Sequence, residues 1–261
     1  MKKITKAVVG VTLAVSLSAG IAALAGCSAD KTGEAYGLVH GGGYVGYTKI
    51  VTNGNMVKDL CLYEVCLPTQ IKAGADVADD DKVVNGTSAY YKTVSYGDLT
   101  LTYKTVGEVT GYYTPANQIL GDYLKAEKNA KAYYEAVVNN AISVTVGGQK
   151  KTDIMTNATL NKEENGYWTK VDRNGESYSR WKMNRDATVS YVKSYGLANL
   201  TKLTKSSANW DADAKEDKSV TPWMDGSIST GATWNDFNTK PEAGTYYSYA
   251  QLIIKASNAA K

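Results

Sequence analysis

The chain has 261 residues, with 29 basic and 26 acidic side chains, a single histidine and three cysteines. The segment before Cys27 holds three lysines and no acid, so the remainder is balanced at 26 basic against 26 acidic. The basic excess belongs to the leader, and nothing favours nucleic acid as a partner. One histidine excludes multi-histidine metal centres, and the cysteine spacing matches neither a zinc site nor haem attachment.

Lys2, Lys3 and Lys6 precede a largely apolar run from Ala7 to Ala25. Gly10, Ser16, Ser18 and Gly20 interrupt that run and no basic stop follows it, which makes it a poor permanent span. Leu24-Ala25-Gly26-Cys27 resembles a bacterial lipobox. It implies removal of residues 1–26 and acylation of Cys27, which would hold the rest of the chain on the outer face of a membrane. Residues 27–35 read as a flexible tether and 36–261 as one extracytoplasmic domain with a large central insertion.

Structure is expected from about Tyr36. Thr48 to Thr52, Asn53-Gly54-Asn55 and Met56 to Cys66 read as a β-hairpin. Cys61 and Cys66 are an odd number of residues apart on the returning strand, so their side chains face opposite ways and no bridge between them is expected. His40 lacks the strained nucleophile turn of a hydrolase and reads as a surface or satisfied structural residue. Ala73 to Gly86, with Asp79-Asp80-Asp81, reads as a solvated loop lacking the EF-hand order of calcium ligands.

Ala89 to Val109 alternates as two strands joined near Tyr96-Gly97-Asp98. Thr114-Pro115 predicts a helix start, running to about Asn140 with Leu120, Leu124, Tyr134 and Val138 as its apolar stripe. Ile142 to Val146 before Gly147-Gly148 reads as another strand, and Asp172-Arg173-Asn174-Gly175 as another hairpin turn. Ser206 to Thr221 reads as a charged connection. Thr245 is a plausible N-cap for a last helix striped by Tyr249, Leu252, Ile253 and Ala256. Antiparallel hairpins forming a sheet against two or more helices give an α+β domain. The chain has 20 tyrosines against one phenylalanine. Most of these tyrosines are expected to be structural, packing the ring and leaving the hydroxyl wet.

The stretch that looks chosen for chemistry is Asp225 to Trp234. Gly231 permits a tight backbone, Ala232 a close approach, and Thr230 and Thr233 supply hydroxyls and amides suited to phosphate oxygens. Trp223 and Trp234 flank it with surfaces suited to a flat ring. An ordinary polar turn also uses these residue types.

Thr230-Gly231-Ala232-Thr233 resembles the Ser/Thr-Gly-Ala-Thr signature of the FMN-binding domain family of extracytoplasmic flavoproteins. In that family a separate flavin transferase esterifies FMN through its phosphate onto the last threonine, a position that Thr233 matches. The family usually has aspartate three residues before the Ser/Thr, where this chain has Ser227, with Asp225 two residues earlier. The Gly-Tyr-rich opening and hairpin over about Gly43 to Leu67 and the helix after the motif extend the likeness, which covers the two ends and leaves the middle uncovered. The resemblance implies a membrane-anchored electron carrier rather than an enzyme with a substrate of its own, with an electron donor and acceptor that the residues do not specify. The alternative is a non-redox surface lipoprotein that binds sugar, peptide or a cell-surface protein through exposed aromatics.

Overall fold

A computed structural model describes residues 29–158, 170–173, 176–197, 210–211, 216–217 and 247–261. Its framework is a three-stranded antiparallel sheet, ordered β1-β2-β3, of β1 (Lys31–Val39), β2 (Tyr44–Asn53) and β3 (Met56–Cys66). Gly54, at φ 56°, makes the two-residue connection between the paired Asn53 and Met56, as the Asn-Gly signal predicts. β1 begins at Lys31, inside the segment expected to be tether.

The pairing sorts the side chains of this sheet onto two faces. Tyr36, Tyr47 and Tyr63 lie side by side on one face, and Gly37, Gly46 and Glu64 on the other. Cys61 and Cys66 fall on opposite faces, and no bridge joins them.

The Tyr36 face is covered by α2 (Glu127–Val138), whose buried residues Ala130, Tyr133, Tyr134 and Val137 recur at helical spacing. The Tyr134 ring lies 5.6 Å from Tyr36 and 5.1 Å from Tyr47. The expected helix from Thr114 is corrected here. Thr114-Pro115 forms a turn in which Asn117 takes φ 59° and the Gln118 amide donates to Thr114 Oγ1. One helical turn, α1 (Leu120–Tyr123), follows, and extended Ala126 separates it from α2. Leu120, Leu124 and Tyr134 are buried as expected, but Val138 faces solvent.

A second, five-stranded antiparallel sheet has the order β10-β9-β6-β7-β8. It contains β6 (Thr93–Tyr96), β7 (Leu99–Val106), β8 (Val109–Tyr113), β9 (Ile142–Val146) and β10 (Gln149–Lys151). A hairpin of β4 (Lys82–Asn85) and β5 (Ser88–Tyr91) precedes it, so part of the expected solvated loop is strand. Tyr133 joins the two sheets: its ring meets Tyr96 edge-on at 5.4 Å, and its hydroxyl donates to the Cys66 carbonyl at 2.7 Å. The buried apolar residues of both sheets form one continuous core. Several deep tyrosines, expected to keep their hydroxyls wet, instead donate internally, as Tyr112 does to the Tyr91 carbonyl at 2.7 Å.

Farther along, β11 (Lys170–Arg173) pairs with β12 (Glu176–Ser179) as the Asn-Gly signal predicts, and α3 (Arg180–Tyr195) follows. Trp210–Asp211 (β13) pairs with Glu216–Asp217 (β14) inside the expected connection.

The Gly37 face is covered by the last helix, α4 (Tyr249–Ala259). Its N-cap is Ser248 in a capping box with Gln251, three residues after the expected Thr245. Tyr249, Leu252, Ile253 and Ala256 are fully buried, as the stripe predicts. Gly33, Gly37 and Gly46 form the trough that seats it. A Cβ on Gly37 would stand 2.6 Å from the Tyr247 ring, and one on Gly46 2.9 Å from Leu252. Close seating of the helix therefore requires the missing side chains.

Candidate functional site

Thr230, Gly231, Ala232, Thr233 and Trp234, with Trp223 and Asp225, lie outside the described residues, as does Cys27. The chain re-enters the described structure at Tyr247. There the Tyr247 amide donates to the Leu38 carbonyl at 2.7 Å, and Tyr247 bridges Val39 in parallel. The described chain therefore resumes beside the turn between β1 and β2.

That turn carries the main polar cluster of the described sheet. Glu64 sits on β3 opposite Gly46, so its carboxylate points toward α4 and is completely buried. Tyr249, the first residue of α4, donates its hydroxyl to Glu64 Oε2. His40 reaches the other oxygen, with Nδ1 3.5 Å from Oε1. The His40 backbone takes φ 52° in the tight turn that continues through Gly41 and Gly42, and its imidazole stacks on the Tyr44 ring at 4.6 Å. Tyr44 in turn donates to Gln70 Oε1 at 3.3 Å.

This arrangement ties three chain segments together through one carboxylate. A carboxylate accepts through both oxygens, a phenol donates, and an imidazole donates or accepts according to its tautomer. The cluster thus pins the start of α4 to the β1–β2 turn through Glu64. His40 is the satisfied structural residue that the sequence allows, and it is only slightly exposed. Sequence reasoning missed Glu64. The signal was its phase: Leu60, Leu62, Glu64 and Cys66 alternate on one face of β3, which places an acid among inward positions.

On the opposite face, burial first and then the Glu34 carboxylate push the Tyr36 phenol well above its ordinary value. Tyr47, which donates to Glu34 Oε1 at 3.1 Å, is pushed up chiefly by burial. These phenols stay neutral and packed. Among the described residues, no group of three or more His, Cys, Asp or Glu side chains is arranged to hold a metal ion. No described helix is long and apolar enough to cross a membrane.

Comparison with protein-family models, with curated proteins and with solved structures finds no match.

Proposed function

We propose that the chain is a membrane-anchored extracytoplasmic flavoprotein that carries electrons through FMN held at Thr230 to Trp234. The observation that carries this reading is Thr230-Gly231-Ala232-Thr233 in a chain that also bears Leu24-Ala25-Gly26-Cys27. The donor set suits the group: two threonine hydroxyls with a Gly-Ala backbone match a phosphate, and Trp223 and Trp234 match a flat ring. A packing observation supports it. The two spans that carry the resemblance meet in the fold, with Leu252 of α4 lying against the β2–β3 hairpin at Gly46.

Bound FMN supplies the redox chemistry, and the protein supplies position and surroundings. Thr233 Oγ1 is the attachment oxygen, Gly231 and Ala232 the close backbone, and Trp234 or Trp223 the stacking surface. The partners are the membrane through acylated Cys27, a flavin transferase, and an electron donor and acceptor. The test is co-expression with a flavin transferase. Wild type should gain an FMN-sized mass and a yellow colour that survive denaturation. Thr233→Val keeps the branched shape without the oxygen and should gain neither, whereas Thr230→Val should keep the adduct. Wild type that binds no flavin, covalently or reversibly, overturns the reading. That result favours a non-redox binding lipoprotein, for which exposed Tyr63 and Tyr195 supply aromatic surface.

A further inference from the structure

Among the described residues, the outer edge of β1 is the open side of the three-stranded sheet, since β2 occupies the inner side. An open edge is a row of amides and carbonyls ready to accept another strand. In an antiparallel pair, alternate residues turn both backbone groups outward. On β1 the outward set includes Thr32, Tyr36 and Leu38, whose backbone groups bond to elements other than β2. The Leu38 carbonyl accepts from the Tyr247 amide and the Thr32 carbonyl from the Lys261 amide at 3.4 Å. Between them, among the described residues, Tyr36 is closed by side chains alone. Its amide donates to Glu127 Oε1 at 3.0 Å, and its carbonyl accepts from Lys255 Nζ at 3.3 Å.

Glu127 stands in the first turn of α2 and Lys255 in the middle of α4, so helices on opposite faces reach round the same edge. The two side chains meet there, with Lys255 Nζ 3.2 Å from Glu127 Oε2 and 4.8 Å from the Tyr247 ring centroid. Both are partly exposed. An exposed ion pair adds little to stability. Its placement on the middle of the edge matters more than its strength.

We propose that Glu127 and Lys255 form a clasp that closes the β1 edge and keeps a second copy of this chain from adding its own β1 there. The test uses the full chain with Glu127→Ala and Lys255→Ala combined. Amide exchange at Tyr36 should accelerate at least about tenfold while Ile50, in the central strand, keeps its protection. The variant should also associate with rising concentration in analytical ultracentrifugation, whereas wild type stays monomeric. Glu127→Gln retains an acceptor for the Tyr36 amide and should remain monomeric with slow Tyr36 exchange. If the double variant does not fold, Glu127→Ala alone, which removes the acceptor of the Tyr36 amide, carries the same two readouts. Unchanged Tyr36 exchange in the alanine variant, or an alanine variant that stays monomeric at every concentration, overturns the proposal. Glu127→Gln that associates like the double variant overturns it as well.

Discussion

Replacing Gly33 by alanine tests the seating of α4 most directly. The new Cβ would overlap the carbonyl oxygen of Ala256 and stand 2.8 Å from the amide nitrogen of Ala260, where ordinary contact begins at 3.4 Å. Both obstacles are backbone, so no side chain can swing aside. The C-terminal half of α4 must lift, and it carries Ala256, which is completely buried. Overpacking of this kind costs about 1–3 kcal/mol, and a rigid obstacle places it near the upper end. The alanine restricts the unfolded chain, which offsets about 0.4–1 kcal/mol. The net expectation is a loss of about 2 kcal/mol. Urea unfolding should show a lower midpoint at unchanged slope, with the fastest new amide exchange in α4. Gly121→Ala is the internal control, because its Cβ meets nothing within 4 Å and the position is helical. It should gain about 0.5–1 kcal/mol. A Gly33→Ala protein within about 0.5 kcal/mol of wild type refutes the trough as a steric requirement.

Tyr249→Phe keeps the ring but removes a donor from the buried Glu64 carboxylate, so it should destabilise by about 1–3 kcal/mol in denaturant unfolding. Stability should also fall at alkaline pH. Burial holds the phenols of Tyr36, Tyr47, Tyr96, Tyr112 and Tyr133 above their ordinary value, while unfolded tyrosines ionise near pH 10. Their contribution is therefore full below about pH 10 and is lost as pH climbs beyond it, with phenolate absorbance rising together with loss of circular dichroism. Separately, Cys27→Ala should shift the protein from the membrane fraction to an unprocessed form. An intact, unlipidated N-terminus on mature wild type, found by mass spectrometry, would contradict the lipobox reading.

Turn chemistry and strand alternation were the most legible parts of the fold. Asn53-Gly54, Tyr96-Gly97-Asp98 and Gly147-Gly148 each fall where one strand turns into its partner. The stripe of α4 was legible because four apolar residues recur at helical spacing over a short span. Thr114-Pro115 misled because a cap followed by proline serves a turn as well as a helix start, and the left-handed Asn117 decides between them. Segment pairing was not legible, because it depends on contacts distant in sequence. Nothing local to Gly33, Gly37 or Gly46 announces a helix more than 200 residues later. The same holds for Glu64, whose phase marks burial but whose partners, His40 and Tyr249, come from two other segments.

The first strand and the last helix run antiparallel, with the Lys261 amide beside Thr32 and Tyr247 beside Val39. If Cys27 carries the acyl chains, the leash from it to Lys31 spans at most about 14 Å. The Lys31 and Lys261 end must then stand close to the bilayer surface. β1, nine residues long, runs about 30 Å from that end to the His40 turn, while α4 runs back about 16 Å alongside it. The His40 turn lies at the far end of β1, and the described chain resumes beside it at Tyr247. With that anchor, the short leash would hold one end of the β1–α4 pair near the lipid, with the His40 turn at most about 30 Å farther out along β1.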